Sequence, residues 1–245
     1  MPFAVSPTDA DLRWIELAGE ADWADAAAAD IAAHLRGAIA AGGEVRLLLS
    51  GGGTPAPVYR ALARLPLDWA RVRVGLVDER ASDDPAASNA LLLRDTLLTG
   101  HAAAATLEPL HPVPGEPAPE GGADALVAAA NARHGALSLV CVFGMGDDGH
   151  TASLFPGDPR LPEVLDAAEA FVPVDASAIP GARGWPRRVT LTPAGWDAAA
   201  ARVLLLRGEH KRALFGRALE SGDVAALPVR ALFAGQAPLT VYWCP

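Results

Sequence analysis

The chain is short of cysteine, short of lysine and without a long uninterrupted apolar run, and each shortage excludes something. Its 245 residues include two cysteines, Cys141 inside an apolar stretch and Cys244 next to the last residue. Two thiols so far apart make neither a disulfide framework nor a paired zinc motif, so both are expected to stay reduced. Hydrophobic residues make up 51% of the chain, yet no run of about 18 of them occurs, and no membrane span is expected. The segment from Met1 to Asp11 lacks a basic stretch followed by an apolar one, so no secretory signal is expected either. A cytoplasmic enzyme fits these absences. Lysine occurs once, as Lys211, against 19 arginines, and the formal net charge is −9. That balance argues against a general nucleic-acid binder, whose affinity comes from cations neutralising phosphates. Any phosphate on a ligand must be held by local groups.

What is present is organised around one stretch. The apolar run Leu137 to Phe143 reads as a buried strand and ends in Gly144-Met145-Gly146-Asp147-Asp148-Gly149-His150-Thr151, continuing to Gly157. Ligands of open α/β sheets bind beyond the carboxyl ends of strands, so Asp148 and His150 stand where proton transfer is expected. Gly144, Gly146 and Gly149 also satisfy the bare dinucleotide pattern. Adjacent aspartates would repel a pyrophosphate, and Phe155-Pro156-Gly157 interrupts the helix that pattern should open.

The chain is long enough for one α/β domain, 1–245. An edge strand is expected at Arg13 to Leu17, an alanine-rich helix from about Ala21 to Ala41, and a strand at Val45 to Leu49. Ser50-Gly51-Gly52-Gly53-Thr54-Pro55 then leads into a helix from Ala56, offering backbone N–H groups, two hydroxyls and a helix dipole to an anion. No Gly-Lys-Ser/Thr ending follows, so a nucleotide loop is not expected. A strand at Val72 to Val77 delivers Asp78-Glu79-Arg80, read as charges at the ligand-facing edge: Asp78 to orient a hydroxyl or base, Arg80 to hold an oxyanion. Ser88 reads as a cap for a helix from Ala90 to Leu98. Residues 100–122 read as a connector with a short strand at Thr106 to Leu110, and His101 and His111 lack metal-ligand spacing. Arg187 to Thr192 alternates like a strand, with Arg183, Arg187 and Arg188 as candidate phosphate ligands. Gly208 opens the helix that carries Lys211, whose ammonium and helix dipole can act on one anion.

Taken together, four blocks resemble the 6-phosphogluconolactonase family, within the group that includes glucosamine-6-phosphate deaminase. They are Ser50 to Pro55; Asp78 to Arg80 with Asp84-Pro85 and Ser88-Asn89; Gly144 to Gly157; and Arg188 to Thr192 with Lys211. The deaminases usually have Asp-Glu-Tyr where this chain has Asp78-Glu79-Arg80, and Gly53 stands where the family often has serine. The resemblance implies a Rossmann-like, doubly wound and mainly parallel sheet flanked by helices. It also implies hydrolysis of 6-phospho-D-glucono-1,5-lactone without metal or organic cofactor, by a monomer or homodimer with a small-molecule substrate and no nucleic-acid or membrane partner. His150, Asp148, Asp78 and Arg80 then form the catalytic set, while Ser50 to Thr54, Arg188 and Lys211 hold the phosphate. Other readings are a phosphosugar isomerase or deaminase, and a non-catalytic phosphosugar sensor. No DNA-binding helix pair is visible to support a transcriptional sensor.

Overall fold

The structure, a computed structural model, describes residues 12–182 and 184–245; Met1 to Asp11 and Arg183 lie outside the described residues. Ten strands are described: β1 (Leu12–Glu16), β2 (Val45–Leu49), β3 (Val72–Leu76), β4 (Asp78–Arg80), β5 (Thr106–Leu107), β6 (Ser138–Gly144), β7 (Phe171–Asp175), β8 (Arg187–Leu191), β9 (Ala201–Arg207) and β10 (Leu239–Cys244). The helices are α1 (Glu20–Ala40), α2 (Ala56–Ala63), α3 (Asn89–Thr96), α4 (Gly122–Arg133), α5 (Leu161–Leu165), α6 (Pro193–Trp196) and α7 (Glu209–Leu219).

The main sheet runs β1-β10-β9-β6-β2-β3-β5 with every described pair parallel. Parallel sheets are covered on both faces, so their central strands are continuous apolar runs rather than alternating ones. That explains Val45–Leu49, buried at every position, and the buried stretches of β6 and β9. Helix α1 buries Trp23, Ala27, Ile31 and Leu35 along one stripe, the four-residue spacing of a helix lying on a sheet. No helix among the described residues is long and apolar enough to cross a membrane.

Asp78-Glu79-Arg80, expected as charges that follow a strand at the ligand-facing edge, are themselves a strand. These residues form β4, the first strand of an antiparallel sheet ordered β4-β8-β7. Val77 is the pivot. Its N–H donates to Leu49 O at 3.0 Å in the main sheet, while its carbonyl accepts from Leu191 N at 2.7 Å at the end of β8. The chain therefore changes sheets without leaving a backbone group unpaired. Two shorter departures are β5, which spans only Thr106–Leu107, and α3, which ends at Thr96. Ser88 caps α3 by accepting from Leu91 N.

One buried arginine closes the far end of α7. Arg230 donates to the carbonyls of Arg217 and Ala218 in the last turn of α7, acceptors that a helix end leaves open, and to those of Glu220 and Asp223 in the segment that follows. Arg230→Met keeps the apolar stem and strands those carbonyls. It is expected to lower the unfolding free energy by about 3 kcal/mol, read as a lower urea midpoint at unchanged slope.

Candidate active site

A cleft of about 510 Å³ lies along the carboxyl edge of the main sheet. It is lined by Ser50, Gly51, Gly52, Gly53 and Thr54 from the turn after β2, by Asp78 and Arg80 from β4, and by His150, Arg188 and Lys211. The His150 imidazole and the Lys211 ammonium thus share one cavity. Asp148 lies behind His150 and is not part of the lining. Of the three arginines considered near β8, Arg188 faces the cleft, Arg187 is exposed outside it, and Arg183 is outside the described residues.

The loop after β6 aims His150. Gly146 N donates to His150 O at 2.8 Å, Gly149 N to Gly146 O at 3.1 Å, and the Thr151 hydroxyl to Gly144 O at 2.9 Å. Asp148 Oδ1 accepts from His150 N at 3.1 Å and lies 2.6 Å from His150 Nδ1. A carboxylate can only accept, so the Nδ1 proton points at Asp148 and Nε2 is left as the basic nitrogen. Burial opposes ionisation of Asp148, but its hydrogen bonds to His150 and the histidine charge outweigh it and hold the carboxyl at about 2. The ring also packs on Phe155, with centroids 4.8 Å apart. A Cβ on Gly146 would sit 2.2 Å from ring atoms of His150, so this turn admits the imidazole only because residue 146 has no side chain.

The opposite wall is the β4–β8 pair. Arg188, 5% exposed, donates to Trp185 O at 3.0 Å and Ala182 O at 2.7 Å, and its Nη1 lies 3.6 Å from Asp78 Oδ2. Burial lowers the Arg188 pKa, opposed by the Asp78 charge. Asp78 Oδ2 also accepts from Ser153 Oγ at 2.7 Å, linking this wall to the His150 loop. Arg80 donates to Ala87 O at 2.6 Å and lies over the Trp185 ring.

Glu79 was not among the expected site residues, and it faces away from the cleft. It accepts from the backbone N–H groups of Arg80, Asn89 and Ala90. Burial raises its pKa against the pull of those three donors. Asn89, which belongs to one of the four family-like blocks but was given no role in the site, lines the cleft and donates to Asp78 O at 2.9 Å. A Cβ on Gly51 would fall 1.9 Å from its side-chain oxygen, so the glycine turn closes directly over Asn89. Its place in the block Asp84-Pro85 with Ser88-Asn89 was the available signal. Arg207 and Trp185 also line the cleft, and nothing in their local sequence distinguished them.

The turn after β2 meets the N-terminus of α2, where free N–H groups and the helix dipole favour an anion. The Ser50 hydroxyl is buried there without a hydrogen-bond partner among the described residues. Lys211, in the first turn of α7, donates to Met145 O and lies 3.7 Å from Asp147 Oδ1. Among the described residues, no group of three or more His, Cys, Asp or Glu side chains is arranged to hold a metal ion.

The fold and the cleft are those of a mainly parallel α/β protein with a polar, cation-lined cavity at the carboxyl edge of its sheet. A family model described as glucosamine-6-phosphate isomerases/6-phosphogluconolactonase matches residues 18–243, and the chain belongs to that family. Within it, the chain is 41% identical to a protein of Xylella fastidiosa named 6-phosphogluconolactonase, over 97% of this chain and 98% of that one. A Pseudomonas putida protein of the same name is also 41% identical, covering 94% and 92%. The crystal structure of a 6-phosphogluconolactonase from Shewanella baltica superposes with a TM-score of 0.82 at 31% identity, covering 96% of this chain and 98% of that one.

Two substitutions test the loop geometry. Gly146→Ala is expected to displace the imidazole and cut turnover by at least about tenfold while the thermal midpoint moves little, since the loop can yield. Asp148→Asn replaces a carboxylate whose folded-state pKa is depressed with an amide that can still accept a hydrogen bond but carries no charge. The stability difference from wild type is therefore expected above the ordinary pKa of 3.8 and to shrink as the pH falls toward 2, measurable by urea unfolding across pH. A constant difference over that range would place the effect elsewhere.

Proposed function

We propose that the cleft hydrolyses 6-phospho-D-glucono-1,5-lactone to 6-phosphogluconate, with His150 as general base and then general acid. The relatives named 6-phosphogluconolactonase support the activity. The residue roles rest on one observation: an imidazole held by a carboxylate at 2.6 Å shares a cavity with the glycine turn and Lys211.

A lactone is already a reactive ester, so catalysis needs a positioned water, a base and stabilisation of the oxyanion. Nε2 of His150 takes a proton from water as its oxygen bonds to C1, forming a tetrahedral oxyanion. Collapse breaks the bond from C1 to the ring oxygen, which leaves with the proton from the imidazolium. Asp148 fixes the ring orientation and stabilises that cation. Arg80 or backbone N–H groups stabilise the oxyanion, and Asp78 orients the sugar hydroxyls. The Ser50 to Thr54 turn, Arg188 and Lys211 hold the phosphate through N–H donors, a hydroxyl and charge. No metal or organic cofactor enters this scheme. The setting is the cytoplasm, as a monomer or homodimer without nucleic-acid partner; the buried free thiols of Cys141 and Cys244 suit a reducing compartment.

His150→Gln is expected to lower kcat by roughly 10²- to 10⁴-fold, the usual contribution of a general base, after correction for spontaneous lactone opening. Unchanged turnover would remove the imidazole from the chemistry. Lys211→Ala is expected to raise KM with kcat nearly constant, because phosphate binding is similar in the ground and transition states. Ammonia release from glucosamine 6-phosphate, assayed alongside, is expected to be absent; its presence would favour the deaminase reading.

A further inference from the structure

Four long cationic side chains line the cleft: Arg80, Arg188, Arg207 and Lys211. Three are engaged with the protein that forms the cleft. Arg188 is bound to two carbonyls and faces Asp78. Arg80 is bound to Ala87 O. Lys211 is bound to Met145 O beside the Asp147 carboxylate.

Arg207 is placed differently. It ends β9, four positions before Lys211, and its Nη1 pairs with Glu20 at the start of α1. Both side chains are substantially exposed, 39% and 53%. A pair of this kind is weak in water, so Glu20 is readily exchanged for a stronger anion. The root of Arg207 is rigid all the same. Gly208 N donates to Cys244 O at 2.8 Å, and Gly208 O accepts from Trp243 Nε1 at 3.1 Å. A flexible guanidinium on a fixed backbone can therefore turn from Glu20 toward the cleft at little cost.

The charge balance calls for such a group. A phosphate monoester carries roughly −1.5 to −2 near neutral pH, and the nearby ammonium of Lys211 already faces a carboxylate. Resting on the substrate reading above, we infer that Arg207 is a further cation for the substrate phosphate, beside Lys211 and Arg188, and that it sets the preference for a phosphorylated lactone over its unphosphorylated counterpart. On binding, the phosphate replaces Glu20, and the planar guanidinium offers it paired N–H donors.

The test compares KM for 6-phosphogluconolactone and for glucono-1,5-lactone in wild type, Arg207→Gln, Arg207→Lys and Arg212→Gln. Arg212 supplies a control cation on α7: it pairs with Glu16, lies over Trp243 and does not line the cleft. Arg207→Gln is expected to raise KM for the phosphorylated lactone about tenfold, the scale of one charge-assisted contact, with no change in KM for the unphosphorylated lactone. Arg207→Lys is expected to recover part of the loss. Equal changes for both substrates, no change for either, or the same effect from Arg212→Gln would overturn the inference. Wild-type protein without lactonase turnover would instead overturn the substrate reading itself, so the two failures are distinguishable.

Discussion

Parallel strands release their chains at the same edge of a sheet, and β2, β3, β6 and β9 release Ser50, Val77, Gly144 and Arg207 side by side. The register keeps these ends level: Leu49 lies opposite Val142 and Leu76, and Gly144 lies opposite Leu205. A slip of one residue in β6 would carry the His150 loop to the wrong depth and turn its apolar side chains to the other face. The packing of Val140, Val142 and Phe143 into the core resists that slip. The geometry of the cleft is thus maintained by hydrophobic burial some distance from the polar groups that line it.

The antiparallel β4–β8 wall solves a different problem. Asp78, Glu79 and Arg188 are nearly inaccessible, and a buried charge is costly unless it is paired or fully hydrogen-bonded. Each is compensated by named groups: Asp78 by Ser153 and Arg188, Arg188 by two carbonyls, Glu79 by three backbone N–H groups. These contacts fix the β4–β8 wall of the cleft, which Ser153 ties to the His150 loop. Glu79 ties β4 to the start of α3, while Asn89 fits beneath Gly51. Two loops distant in sequence are thereby joined.

The sequence resolved local structure where composition and period agreed. The continuous apolar runs of β2 and β6 and the glycine that opens α7 mark real elements within a residue or two. The glycine turns identified two corners of the cleft, because a missing Cβ is visible in the sequence even when its reason is not. Asp78-Glu79-Arg80 was harder to read. Three charged residues resemble a solvated loop, and only the long-range partner β8 makes them a strand. Arg207 was equally obscure, since an arginine at a strand end looks the same whether it faces solvent or a ligand.

Residue order by itself determined which segments would be buried strands, where the chain must turn tightly, and which glycine, histidine and lysine blocks resemble a known family. Those properties depend on neighbours a few positions apart. Tertiary structure alone decided that Val77 passes the chain from one sheet to the other, that Asn89 closes beneath Gly51, and that Glu20 meets Arg207. Each joins groups whose separation in sequence carries no periodic signal, so the contact exists only once packing has brought their elements together.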